Sequence, residues 1–272
     1  MKPAEITIYR EKKYVCGEYL DVYIYPVYKK PGARAKKAQP STETQRKLNY
    51  RHSREELTRK LHANFTQKDI EIGINFRENP ESYERVKQLL SNFYDRVRRL
   101  REKMGLPPLK YITVIEVGKK SGKYHCHIVM NGGIDRDVLE KLWGLGYANA
   151  RRLQFTKTGI AGLAHYITKN PIGKKRWSAS RNLIDPPPQT NDGRIRSRRR
   201  AVELARDTED QEPWEKLYPG YGLAEVIPFH NDENGGVYLF ARLYRKDGKF
   251  IAPGRSGKRR KTGESHYRQQ TI

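Results

Sequence analysis

Tyr111-Ile112-Thr113-Val114-Ile115-Glu116-Val117, then Gly118-Lys119-Lys120-Ser121-Gly122-Lys123, then Tyr124-His125-Cys126-His127-Ile128-Val129-Met130 read as strand, turn and strand. The flanking stretches are rich in β-branched and aromatic residues, which fit a pleated, half-buried surface. The middle stretch has the Gly, Ser and Lys composition of a turn. Side chains alternate across a strand, so His125 and His127 share a face and Cys126 points away. A symmetric turn sets Glu116 opposite His125, with Cβ atoms roughly 5 Å apart. One face of this hairpin therefore offers Glu116, His125 and His127, two nitrogens and a carboxylate suited to a divalent cation. The other face, with Thr113, Ile115, Val117, Cys126, Ile128 and Met130, reads as core.

Downstream, Ala161-Gly162-Leu163-Ala164-His165-Tyr166-Ile167-Thr168-Lys169 reads as a short helix stopped by Asn170-Pro171. Tyr166 and Lys169 are three apart and so share a helix face, while Leu163 and Ile167 pack inward. A phenol and an ammonium presented together, next to a cation site, supply the parts for metal-assisted attack on a phosphodiester. Taken singly, a His-x-His is also what half-buried strand histidines look like, and a Tyr-x-x-Lys what an amphipathic helix with a snorkelling lysine looks like. Their order along the chain is the informative part.

Upstream, Ile70, Ile72, Ile74 and Phe76 alternate with Glu71, Gly73 and Asn75, the clearest strand in the chain. Asn79-Pro80 then opens a helix about 36 Å long, apolar at Tyr83, Val86, Leu90, Phe93, Val97, Leu100 and Met104 and closed by Gly105. Asp135 to Trp143 reads as a short helix and Gly146 to Phe155 as a strand bearing Arg151 and Arg152. From residue 69 the order is β, long α, β, β, α, β, α. The expected fold is α+β, a central antiparallel sheet with split βαβ connections covered by helices, with basic N- and C-terminal extensions.

The chain of 272 residues has 55 Lys+Arg against 31 Asp+Glu, a formal net charge of +24. An excess of one sign this large is the footprint of polyanion binding and points to nucleic acid. A membrane surface fits less well, because no basic amphipathic anchor is visible. No run approaches the roughly 18 apolar residues of a membrane-crossing helix. Met1-Lys2-Pro3-Ala4-Glu5-Ile6 lacks the apolar core of a signal peptide, and two cysteines, Cys16 and Cys126, make no disulfide framework, so a cytoplasmic location is expected.

The remaining segments divide as follows. Residues 1–64 are expected to form a hairpin and a basic helix, the helix over 41–64 with Ser53 and Glu56 at capping-box spacing. Residues 29–40 read as a basic linker inside that segment. The unit that carries the two motifs spans 65–185, a basic linker 186–212, a small β-rich segment 213–253, and a basic tail 254–272. Within the unit, Lys174-Lys175-Arg176-Trp177 joins cations to a ring, which suits backbone contact plus base stacking. Its plain alternative is a loop anchored by one Trp.

These motifs together resemble the HUH endonucleases. His125-Cys126-His127 is similar to their His-hydrophobic-His motif, Tyr166-Ile167-Thr168-Lys169 to their single-tyrosine nucleophile motif, and Ile70 to Phe76 to their first conserved strand. Lys175-Arg176-Trp177-Ser178-Ala179-Ser180-Arg181-Asn182-Leu183 resembles the filamentous-phage gene II-like replication initiators of phages, plasmids and related mobile elements. The resemblance covers residues 69–185 well and the first 65 loosely. Cys126 departs from the larger apolar residue usual there. The resemblance implies Mg²⁺ or Mn²⁺ held by His125, His127 and Glu116, with Tyr166 as nucleophile and Lys169 beside it. It further implies single-stranded DNA at a replication origin as substrate, contacted by Arg151, Arg152, Lys174, Lys175, Arg176, Trp177 and Arg181, and a host helicase as partner, since the chain carries no helicase motif.

Two other readings stay open in the sequence. A relaxase or single-tyrosine transposase uses the same chemistry, although a relaxase usually has its tyrosine before its histidines. A basic, non-catalytic nucleic-acid-binding protein with a structural metal is the other. A structural zinc wants four Cys or His ligands, which this chain does not gather.

Overall fold

The computed structural model describes residues 6–28, 43–169, 172, 175–231 and 235–248. Along the chain these form β1 (Ile6–Cys16), β2 (Tyr19–Tyr28), α1 (Glu43–Asn64), β3 (Ile70–Asn75), α2 (Tyr83–Lys103), β4 (Tyr111–Val117), β5 (Tyr124–Met130) and α3 (Arg136–Trp143). There follow β6 (Ala148–Arg152), α4 (Ala161–Ile167), β7 (Ser178–Ala179), β8 (Gln189–Asn191), α5 (Arg198–Arg206), α6 (Glu212–Leu217), β9 (Tyr221–Asn231) and β10 (Gly236–Arg245). The fold is α+β, with two antiparallel five-stranded sheets.

The first sheet has the order β6-β3-β5-β4-β7. β3 and β4 both run antiparallel to β5, which lies between them, so β3-α2-β4 is a βαβ unit split by an inserted strand. Both faces are buried, for different reasons. Ile70, Ile72 and Ile74 of β3, with Cys126, Ile128 and Met130 of β5, meet Val86, Leu90, Phe93 and Val97 of α2 and Trp143 of α3. On the reverse face, Ile112, Val114 and Val129 meet Leu57 and Leu61 of α1 and Ala164 and Ile167 of α4.

Some element starts differ from expectation. α2 begins at Tyr83 with Ser82 as its cap, whose Oγ accepts from the Arg85 N–H at 3.2 Å. Asn79 is engaged elsewhere, its Oδ1 accepting from the Tyr124 N–H at 2.8 Å, which steadies the start of β5. α1 runs unbroken through Ser53 and Glu56, so no capping box forms there. Instead the Ser53 Oγ accepts from Trp177 Nε1 at 3.3 Å. β6 is shorter than Gly146 to Phe155, because Leu153 and Phe155 leave the sheet and enter the core under α1.

The second sheet, order β8-β1-β2-β10-β9, unites two segments that lie at opposite ends of the sequence. The N-terminal hairpin and the C-terminal β-rich segment pair through β2 and β10, with Ile24 opposite Leu239 and Leu20 opposite Leu243. Residues 186–212, expected to be a basic linker, hold β8 and α5. The reason is apolar: Ile195, Ala201 and Leu204 pack with Trp214 and Tyr218 onto Val22, Leu239 and Ala241. The basic linker expected over 29–40 and the tail from 254 lie outside the described residues. Among the described residues no helix is long and apolar enough to cross a membrane.

α1 is wedged between the two sheets. Leu57, Thr58, Leu61 and His62 are all buried, on one face of the helix. Two of the four are polar, so its sequence shows no continuous apolar stripe. Tyr19 of β2 stacks on the His62 ring at 4.2 Å between centroids and donates its hydroxyl to the Thr156 carbonyl at 2.9 Å.

Candidate active site

Adjacent strands build the cation site as their register requires. Glu116 lies directly opposite His125, and Val114 opposite His127. His125 Nε2 is 2.9 Å from Glu116 Oε2, and His127 Nε2 is 3.9 Å from the same oxygen. The ligand atoms of Glu116, His125 and His127 all lie within 4.8 Å of one another, close enough to share one ion. Glu116 and His127 are buried and His125 is half-buried, so the site has a protein floor and an open top. The hydrogen bond to Glu116 raises the His125 pKa above the ordinary histidine value, against a smaller lowering by burial. Cys126 is buried on the opposite face, as the alternation required.

A residue the sequence reading did not single out completes the site. Glu71 Oε1 lies 2.9 Å from His127 Nδ1. A carboxylate only accepts, so Nδ1 carries the proton and Nε2 is left with its lone pair toward Glu116 and the cation position. Glu71 faces the histidines because Gly73, two residues on, pairs with His127 itself. The signal was present in the sequence: a carboxylate on the glycine-bearing face of an otherwise apolar strand. Arg151 sits opposite Glu71, its Nε 3.6 Å from Glu71 Oε2, and reaches solvent at the edge of the site.

Tyr166 stands over this floor. Its ring is 5.4 Å from the His127 ring, edge to face. At 51% exposure, the side chain is open to a substrate. α4 holds it there by burying Ala164 and Ile167, and α1 holds α4. The Tyr50 hydroxyl donates to the Thr168 carbonyl at 2.9 Å, and Arg54 Nη1 lies 2.8 Å from His165 Nδ1. Arginine only donates, so His165 Nδ1 is an acceptor and the ring is neutral. Burial, with the charges of Arg54 and Lys169, lowers its pKa accordingly.

Lys169 does not share a helix face with Tyr166. α4 ends at Ile167, and Thr168 turns its Oγ1 back to the Ala164 carbonyl at 2.6 Å. Lys169 follows in a turn, exposed, its charge felt at His165.

The expected DNA contacts are divided by the fold. Arg151 is on the histidine face, whereas Arg152 pairs with Ile70 on the other face and bonds to the Lys68 carbonyl. Lys174 lies outside the described residues. Trp177 is engaged by α1, donating to Ser53 with Lys60 Nζ 5.5 Å from its ring, which is the anchored-loop alternative. Arg176 stacks on Tyr50 at 4.6 Å. Lys175 and Arg181 line an open cleft with Ser53 and Lys60 of α1.

Residues 72–171 match the family model for replication-associated proteins of the ORF2 and gene II protein type. The matched stretch contains Glu116, His125, His127, Tyr166 and Lys169, and over it the chain is similar to replication-associated proteins. No curated protein and no solved structure matches the chain.

Proposed function

We propose that this chain is a rolling-circle replication initiator, a nickase and strand-joining enzyme that acts on single-stranded DNA through a 5′-phosphotyrosine. The observation that carries the reading is the exposed Tyr166 ring at 5.4 Å from the His127 ring, above a Glu-His-His cluster whose ligand atoms lie within 4.8 Å of one another. Those residues fit Mg²⁺ or Mn²⁺, and a bound ion would supply Lewis-acid polarisation and orientation of the scissile phosphate.

The chain's own residues do the remainder. The Tyr166 hydroxyl oxygen attacks phosphorus and loses its proton, and a Tyr–O–P bond forms as the P–O3′ bond breaks. The departing oxygen takes a proton and leaves as a 3′-OH able to prime synthesis. The phosphodiester count is unchanged, so the covalent link can be attacked by a 3′-OH in reverse to rejoin a strand without a further energy source. Arg151 and Lys169 place positive charge around the phosphate, and Glu71 holds the His127 ring in the ligand tautomer. Lys175, Arg176 and Arg181 extend the positive surface along the strand, with a host helicase opening the duplex.

The test is a denaturing gel of wild type, Tyr166→Phe and His127→Ala with labelled single-stranded oligonucleotides, the element's own DNA included, with Mn²⁺ or chelator. Wild type should give a metal-dependent covalent band. Tyr166→Phe should give none yet bind DNA within about two-fold of wild type, because only the nucleophilic oxygen is removed. His127→Ala should lose cleavage at ordinary Mn²⁺ concentrations. Normal cleavage by either variant would defeat the assignment, and binding with no covalent band for any of the three would favour a non-catalytic binder.

A further inference from the structure

α1 has two working flanks. Tyr50 and Arg54 reach the nucleophile helix on one of them. On another, Arg51, His52, Glu55 and Arg59 wall a groove of about 600 Å³ over the face of the second sheet that α1 packs on. The groove floor is a row across four strands. Lys12 pairs with Tyr23, Tyr23 with Phe240, and Phe240 with Ile227. Alongside it Phe229 pairs with Tyr238, ring centroids 6.0 Å apart, and Tyr25 also lines the groove.

The reverse face of this sheet carries the apolar core under α5 and α6, so the aromatic face is not needed to close that core. Phe229 remains 51% exposed and Ile227 42%. Large apolar side chains held half in water on a sheet face mark a binding surface.

Its charge indicates the occupant. Arg59 lies 4.3 Å over the Tyr14 ring and donates to the Tyr23 hydroxyl at 2.6 Å. Lys12 Nζ is 5.3 Å from the same Tyr14 ring. Glu55, the acidic residue of the groove, is engaged by Arg51 at 2.8 Å and by the Tyr23 hydroxyl at 3.2 Å. The groove is therefore positive at its walls and aromatic at its floor. That pairing serves single-stranded nucleic acid, whose phosphates follow the cations while successive bases stack on rings. A duplex keeps its base faces hidden and gains little from such a floor.

We propose that this groove is a second binding surface for single-stranded DNA, holding unpaired bases on Tyr14, Phe229 and Tyr238 with phosphates along Lys12, Arg51 and Arg59. The identity of the occupant rests on the replication-initiator reading. The strand that lies across Tyr166 passes along one flank of α1, and the groove receives its continuation on another, so the platform keeps a nicked strand close while its end is chemically committed.

The test is binding of the full chain to labelled dT20 and to a 20-base-pair duplex by fluorescence anisotropy. The variants are Phe229→Ala combined with Lys12→Gln, and separately Tyr14→Leu. The double variant should bind dT20 about ten-fold or more weakly, and the slope of log Kd against log salt should fall by roughly one. Its duplex affinity should fall far less. Tyr14→Leu should lose dT20 affinity in the same direction with an unchanged salt slope. Wild-type affinity for dT20 in both variants, or equal losses on dT20 and duplex, would overturn the proposal. Covalent attachment to single-stranded oligonucleotides of the element's own DNA with Mn²⁺ is followed in parallel. Its absence in wild type defeats the nickase reading and leaves the groove comparison intact. Its presence alongside unchanged dT20 binding in the variants defeats the groove alone.

Discussion

At the scale of single residues, the site depends on which proton sits on which nitrogen. Glu71 accepts the hydrogen bond from the Nδ1–H of His127, so Nε2 is available without a change of tautomer. Replacing Glu71 with Gln keeps the shape but allows the amide NH₂ to donate to Nδ1, favouring the wrong tautomer. The expected outcome for Glu71→Gln is a roughly 10–100-fold weaker affinity for Mn²⁺ with little change in Tm, measured by titration calorimetry and thermal melting. Unchanged Mn²⁺ affinity would show that Glu71 only fills space. The His125–Glu116 pair could be placed from sequence because a strand hairpin fixes direct neighbours. Glu71 is reached through a third strand, whose register against β5 no local pattern states.

At the scale of elements, the nucleophile is held by what packs on α4. Gly159, just before that helix, has φ of +71°, and a Cβ there would collide with the His62 ring at Nε2. Gly159→Ala meets both a backbone penalty and a buried ring that cannot retreat, since His62 is stacked under Tyr19. We expect a loss of about 2 kcal/mol or more in unfolding free energy, read by urea titration, together with a drop in covalent attachment because α4 shifts. The elements themselves were largely readable: β4 and β5 fall where β-branched density ends, and Gly105 closes α2 with a positive φ. The failures have physical causes. Ser53 resembles a cap in sequence, but its hydroxyl serves Trp177 far along the chain. Lys169 resembles a helical neighbour of Tyr166, but the helix ends at Ile167, ahead of the Asn170-Pro171 stop read from the sequence. Pro and Arg content makes residues 186–212 look like a linker and hides Ile195, Ala201 and Leu204, which have no core to enter until both ends of the chain meet.

At the scale of the whole molecule, the two sheets are joined around His62. Burial holds its pKa well below the ordinary value, and its Nε2 accepts from the Ile160 N–H at 3.0 Å. The unfolded chain takes up a proton at this histidine near pH 6.5, while the folded chain resists it. The stabilisation is therefore complete above about pH 6.5 and is lost as pH falls through that value toward the depressed folded pKa. Melting followed between about pH 7.5 and 5 should show this decline. His62→Gln, which retains an acceptor but does not titrate, should flatten it, and an unchanged acid limb would place the sensitivity elsewhere. One further consequence comes from the way the second sheet is closed, with β2 pairing on its far edge to β10. The strands of the first sheet, by contrast, are contiguous from Ile70 to Ala179. On a ribosome adding about 5–20 residues per second, β2 therefore waits on the order of ten to forty seconds with that edge bare before β10 emerges. The nascent chain can assemble its histidines and tyrosine well before its aromatic platform exists. A chaperone or a neighbouring nascent chain has that interval in which to claim the open edge.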